Sequence, residues 1–214
     1  MSEKRQKILV TGGAGYIGSH AVRELLKEGY DAVVYDNFSR GFTNALPKDT
    51  EFVHGDLANA DLLNHVFDKY KFRAVIDFAG HLEVEESMKN PHNFYVNNVS
   101  EFANLLETMM NNNVTAIVYS SSASVYGQPE RTPIPESSPI EVNNIYGGTK
   151  VAAEHLLRIF DNSEHLAPLT WYATQNFQSK GSPSSLLVDG YDVMPKRDGI
   201  IAAKKLFLTK SKNK

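Results

Sequence analysis

A short apolar run, KILV, leads directly into TGGAGYIG and then into the amphipathic stretch SHAVRELLKEGY. A strand, a glycine turn and a helix in that order constrain this chain more than any other feature. Gly12, Gly15 and Gly18 stand three residues apart. In that setting the first glycine permits a tight turn, and the second lets backbone amides approach a pyrophosphate. The third lets the helix pack close to the strand. The positive end of the helix then faces the phosphates. The alternative is a glycine-rich turn with no ligand.

The next strand, DAVVYDN, weighs against that alternative. Asp36 lies at its end, 24 residues past Gly12. A carboxylate at about that distance accepts hydrogen bonds from the adenosine ribose hydroxyls and repels a 2′-phosphate, which favours NAD over NADP. Arg40, in NFSRG, is the counter-argument, because an arginine nearby can hold that phosphate. A strand-end cap is the structural alternative for Asp36.

Strands and helices alternate beyond this point. TEFVHGDL reads as a third strand, RAVIDFAG as a fourth and VTAIVYSSSA as a fifth. Ile17, Ala21, Val22 and Leu25 fall on one face of the first helix, and Gly29 is its stop. Leu62, Leu63, Val66 and Phe67 do the same in ADLLNHVFDKY. A long helix is expected from Pro91, with Phe102, Leu105, Leu106 and Met109 facing inward and Asn111 to Asn113 ending it. A proline-rich loop over 128–144 precedes a helix containing Tyr146, and a sixth strand is expected from about Leu169 to Ala173. Near-continuous apolar strands alternating with helices predict an α/β fold of the Rossmann type, a doubly wound parallel sheet with helices on both faces. No internal repeat is visible.

Composition narrows the function classes. The chain has 214 residues, a formal net charge of −3 and no cysteine. The charge gives no reason to expect a nucleic-acid partner, and disulfides and thiolate metal sites are excluded. No apolar run approaches the ~20 residues of a membrane helix, and the start lacks the apolar core of a signal peptide. A cytoplasmic setting is the simplest expectation. His81 stands near Glu83, Glu85 and Glu86, but no second histidine has ligand spacing, so no metal is expected.

Eight motifs occur in order: TGGAGYIGSH, YDNFSRG, GDL, FAG, ESMKNP, NNV, SSSASVYG and YGGTK. Together they resemble the extended short-chain dehydrogenase/reductases, and within them most closely the UDP-glucose (UDP-galactose) 4-epimerases. The resemblance covers roughly residues 6 to 160. It implies a cofactor set of Gly12, Gly15, Tyr16, Ile17, Gly18, Asp36, Asn37, Asp56, Leu57, Phe78, Ala79, Gly80, Asn98 and Lys150. Asp56 and Leu57 would flank the adenine. Phe78, Ala79 and Gly80 would line the cleft, and Asn98 would support its reacting end.

Tyr146 and Lys150 are four residues apart and so share one helix face. A free tyrosine, with a pKa of about 10, is a poor base at neutral pH. A nearby ammonium favours the phenolate and lowers that value. The resemblance makes Tyr146, Lys150 and Ser122 the catalytic group, with Ser122, Ser124 and Tyr146 against the substrate. An ordinary helix-surface pair is the alternative for Tyr146 and Lys150, and strand-end polar residues satisfying backbone are the alternative for the serines. Related dehydratases carry an acidic pair just before VYG, where this chain has Ala123 and Ser124. The resemblance therefore implies epimerisation. A UDP-hexose is oxidised at C4 by tightly held NAD+, the 4-keto ring turns over, and hydride returns to the other face. Two departures stand in HLEVEES: Glu85 where the family has glycine, and Leu82 where some members have lysine.

Residues 1–175 are expected to form the NAD-binding domain. Residues 176–214 form a divergent basic tail, with a short amphipathic helix possible over 199–208. The family's substrate domain is expected to be absent, as in a truncated or shifted reading frame. Two functions therefore stay open at this level: a UDP-sugar 4-epimerase, acting on UDP-galactose and UDP-glucose or on a UDP-sugar such as UDP-arabinose, and an NAD-binding remnant without turnover. A homodimer through the helix from Pro91 and the Tyr146 helix is also implied by the resemblance.

Overall fold

The computed structural model describes residues 5–132, 134–135, 137–162, 167–171, 187–188 and 191–192. Strand β1 (Lys7–Thr11) runs into helix α1 (Tyr16–Lys27), followed by β2 (Asp31–Asp36), β3 (Glu51–His54), α2 (Ala60–Tyr70) and β4 (Ala74–Asp77). Then come α3 (Val84–Lys89), α4 (Pro91–Tyr95), a π-helical turn (Val96–Ser100), α5 (Glu101–Asn111), β5 (Ala116–Ser120), α6 (Ile145–Asn162) and β6 (Ala167–Trp171). Six strands form one sheet in the order β3-β2-β1-β4-β5-β6, every pair parallel. The order reverses at β1, so a crevice opens at the carboxyl ends of β1 and β4.

Each central strand is apolar on both faces, and successive residues feed two separate cores. Leu9, Val33, Val75 and Ile117 pack with Leu63, Phe67, Leu105, Met109 and Leu157 from α2, α5 and α6. Ile8, Val10, Val34 and Ile76 pack with Val22 and Leu25 of α1 on the other side. The expected inward residues of α1 and α5 are buried, except Ile17, which is partly exposed. In α2, Leu63, Val66 and Phe67 are buried and Leu62 packs at the edge. Asn59 caps α2 by accepting the Leu62 N–H at 3.0 Å, and Asn113 ends the α5 segment in the left-handed region at φ +56°.

The long helix expected from Pro91 runs without interruption to Asn111, with a π-helical turn around Asn98 inside it. The short helix α3 was not legible as a separate element. Strand β6 begins at Ala167, two residues before the expected Leu169, and Tyr172 and Ala173 lie outside the described residues. The same is true of the expected helix over 199–208. Leu187–Val188 and Tyr191–Asp192 pair as a separate antiparallel ribbon. Among the described residues, no helix is long and apolar enough to cross a membrane.

Candidate functional site

The crevice is built first from the glycine turn. Gly12 takes φ +63° and donates its N–H to the Tyr35 carbonyl at 2.9 Å. A Cβ at Gly12 would lie 2.7 Å from the Phe78 and Ala79 backbone, so only glycine lets the first turn sit beside the end of β4. Gly15 donates back to the Gly12 carbonyl at 3.1 Å. Gly18 seats α1 on this turn, because a Cβ there would meet the Gly12 oxygen at 2.3 Å. No side chain caps this end of α1 and no acidic residue stands in its first turn. Its partial positive charge is therefore left for an anionic ligand.

The next wall comes from β2 and β3. Asp36 is 7% exposed. Its two oxygens accept the N–H groups of Ala14 at 2.9 Å and Phe38 at 2.8 Å, which fix the carboxylate against the glycine turn. Asn37 donates to Asp56 at 2.7 Å, and Ala58 N–H donates to the same carboxylate at 2.9 Å. Burial alone would raise the Asp56 pKa, but these hydrogen bonds outweigh it and hold the group below its ordinary value. Beside it, burial and the Asp56 charge push Glu101 up to about 7. The Glu101 carboxylate also accepts from Asn97 at 2.9 Å. Burial, with Asp56 next, raises Tyr35 to about 12, and its hydroxyl donates to the Asp56 carbonyl at 2.9 Å.

A second group of polar side chains lies beyond β4 and β5. Lys150 is 6% exposed, and its ammonium donates to the Ser120 carbonyl at 3.0 Å. It sits 4.8 Å from the Tyr119 ring centroid and 5.8 Å from that of Tyr146. Burial opposes the Lys150 charge, but Tyr119, Tyr146 and Asp77 outweigh burial and hold its pKa above the ordinary lysine range. Asp77 is buried beneath it and is raised by burial to about 6; it accepts from the Thr11 hydroxyl and from Ala79 N–H at 3.2 Å. The Tyr119 hydroxyl is buried with no well-aligned hydrogen-bond partner, beside the Lys150 ammonium.

Tyr146 is held by its backbone. Its N–H donates to Ser87 Oγ at 3.1 Å and its carbonyl accepts from Thr149 Oγ1 at 2.7 Å. Gly147 lets this first turn of α6 press on the short 3₁₀ turn Ala123–Tyr126, since a Cβ there would lie 2.6 Å from the Ser124 carbonyl. Ser122 Oγ accepts the Ser124 N–H at 3.2 Å, so Ser122 caps that turn while remaining half-buried. The neighbouring Ser121 donates to the buried Glu154 instead.

One cleft gathers Gly12, Gly15, Asp36, Asn37, Asp56, Leu57, Phe78, Ala79 and Gly80. Tyr16, Ile17 and Gly18 begin α1 and do not line it, and the Tyr16 ring instead meets His20 edge-on at 5.0 Å. Asn98 is buried behind the cleft. It accepts His81 N–H at 2.7 Å and donates to the His81 carbonyl at 2.9 Å and to Thr149 Oγ1 at 3.0 Å, tying the loop after β4 to the Tyr146 helix. Ser122, Ser124, Tyr146 and Lys150 lie outside this cleft's lining, linked to it through Asp77, Ser87 and Asn98. Asp77, Thr11, Ser87, Asn97, Glu101 and Thr149 were not found from sequence. For Asp77 a signal existed: an acid ending an otherwise apolar strand. Among the described residues, no three His, Asp or Glu side chains are arranged to hold a metal ion.

A doubly wound parallel sheet, a glycine turn at its switch point and a buried acid ending the second strand define an α/β protein of the Rossmann type. The chain belongs to the NAD-dependent epimerase/dehydratase family, whose model matches residues 8–185. It is 42% identical over 175 residues to a bifunctional UDP-glucose 4-epimerase and UDP-xylose 4-epimerase 1 of Pisum sativum, covering 77% of this chain and 50% of that protein. Among solved structures it is similar to a UDP-glucose 4-epimerase from Brucella ovis in complex with NAD. That match has a TM-score of 0.75 and 38% identity, over 78% of this chain and 51% of that one. A UDP-glucose 4-epimerase from Bifidobacterium longum in complex with NAD+ and UDP matches with a TM-score of 0.73 and 34% identity, over 77% and 52%. The chain spans about half the length of the curated relatives it matches.

Proposed function

We propose that this chain binds NAD along the cleft and acts as a UDP-sugar 4-epimerase, interconverting UDP-galactose and UDP-glucose. The observation that carries the reading is the buried Lys150 ammonium, anchored on the Ser120 carbonyl and flanked by Asp77 and the Tyr146 ring. NAD fits the residues present. The Gly12 and Gly18 cradle admits no Cβ, the start of α1 carries no competing acid, and Asp36 is fixed where ribose hydroxyls are read. When bound, NAD supplies the hydride acceptor and donor for the sugar C4.

The chain's own residues do the rest. Tyr146 takes the proton of the sugar 4-hydroxyl on its phenol oxygen and later returns it. Lys150 holds its buried ammonium beside the Tyr146 ring, where its charge faces the negative charge that develops as the proton is transferred. Ser122 and Ser124 hydrogen-bond the same sugar hydroxyl and orient it. The cofactor-binding unit extends through residue 175. A homodimer would use the helices from Pro91 and Tyr146, which carry the exposed apolar residues Tyr95, Val96 and Ile159.

The test uses the full chain. NAD is titrated first, then UDP-galactose is added and UDP-glucose followed. Conversion is expected. Tyr146→Phe should cut it by about a hundredfold or more, the range of general acid–base catalysis, with NAD affinity kept. Equal turnover in Tyr146→Phe would remove the catalytic role, binding without conversion would leave a dinucleotide-binding protein, and no NAD binding would remove the cofactor as well.

A further inference from the structure

Two loops form the lips of the cleft mouth. The loop after β2 carries Arg40, and the loop between β4 and α3 carries Leu82 and Glu83. Arg40 and Leu82 both line the cleft together with Asp36. The Arg40 guanidinium donates to Glu83, closing an ion pair between residues 43 apart in sequence. Glu83 stands at the N-cap of α3, yet its side chain makes no capping hydrogen bond there; it reaches across to the other lip. Asp36 lies only four residues before Arg40, but its carboxylate is committed to Ala14 and Phe38. The acid that engages Arg40 is thus Glu83.

This geometry bears on the ambiguity that Arg40 introduces. An arginine close to the ribose-reading acid is the group that would receive a 2′-phosphate. A guanidinium whose charge a carboxylate already offsets attracts a phosphate less, and that carboxylate stands nearby as a like charge to the dianion. Both effects act on a 2′-phosphate and neither acts on a 2′-hydroxyl. We infer that Glu83 is a cofactor-specificity residue: by engaging Arg40 across the cleft mouth, it withholds that cation from NADP and reinforces the preference for NAD set by Asp36. The inference rests on the reading that the cleft takes NAD.

The side chains are 51% and 35% exposed, so the pair is screened and its effect is bounded. An exposed pair is worth up to about a fivefold change in an equilibrium, and removing the like charge adds to it. The experiment is calorimetric titration of the full chain with NAD and with NADP, for wild type, Glu83→Gln, and the double variant Arg40→Gln/Glu83→Gln. In Glu83→Gln the NADP dissociation constant should fall about fivefold or more, while that for NAD stays within about twofold, which also shows that the variant is folded. In the double variant the NADP gain should disappear, because the gain acts through the guanidinium. An unchanged NADP-to-NAD ratio in Glu83→Gln, with NAD still bound, overturns this inference alone. A gain that persists in the double variant also overturns it, since that would be a general charge effect. Wild type that binds neither dinucleotide overturns the NAD reading and this inference together.

Discussion

Replacing Gly18 by alanine tests the seating of α1 on the glycine turn. The added methyl would lie 2.3 Å from the Gly12 carbonyl oxygen and 2.7 Å from the Gly13 Cα. Ordinary contact needs roughly 3.5 Å, so the start of α1 must retreat by about 1 Å. Both opposing atoms are backbone, and no rotamer change relieves them. Overpacking costs about 1–3 kcal/mol, and the absence of a yielding side chain puts this case near ~3 kcal/mol. For a chain of this size that corresponds to a fall in Tm of roughly 6–12 °C. Gly29→Ala is the matched control. Gly29 has φ +84° with nothing within 4 Å of an added Cβ, so alanine there strains only its own backbone, by about 1–2 kcal/mol. Thermal melts and NAD titrations of both variants separate the two effects. Gly18→Ala should lose more stability than Gly29→Ala, and it alone should lose NAD affinity, by about tenfold or more, because the displaced turn is the one that would face the pyrophosphate in the proposed complex. Wild-type stability in Gly18→Ala, or equal loss of NAD affinity in both, would refute the reasoning.

Other consequences follow from the buried groups. Asp77 is raised to about 6 by burial, so the folded state keeps a proton that the unfolded chain releases between about pH 4 and 6; stability falls as pH rises through that window. Asp77→Asn cannot titrate, and its stability relative to wild type should improve by up to about 3 kcal/mol between pH 4 and 7, read from urea midpoints; a pH-independent difference would count against the assignment. Glu101, raised by burial and Asp56 to about 7, has the same sign, so Glu101→Gln should flatten the stability profile between about pH 5 and 7. Leu105 is fully buried between the sheet and α2, and Leu105→Ala should cost about 2–5 kcal/mol in chemical denaturation.

The strands were legible because period and glycine placement agree: KILV, DAVVYD and AVID are buried on both faces, and no competing pattern exists for them. Phe102, Leu105, Leu106 and Met109 were legible for the same reason. The π-helical turn at Val96–Ser100 was not, because it keeps a helical pattern; in the fold Asn97 and Asn98 of this turn accept the His81 N–H of the loop after β4. Nor was the proximity of Asp56 and Glu101, which depends on the loop after β3 and the start of α5 meeting at the cleft. The place of Asp36 could be read from its distance to Gly12. The partner of Arg40 could not, since Glu83 reaches it only through the fold.

Asn97 and Asn98 both receive the His81 N–H, at 2.9 and 2.7 Å, and Asn98 also holds Thr149. That clamp closes a circuit of sixteen or seventeen residues on itself and then fastens it to the next helix. The length of that circuit is therefore constrained: adding or removing one residue between Gly80 and Asn97 would pull a lip of the crevice out of step with the helix that carries Tyr146.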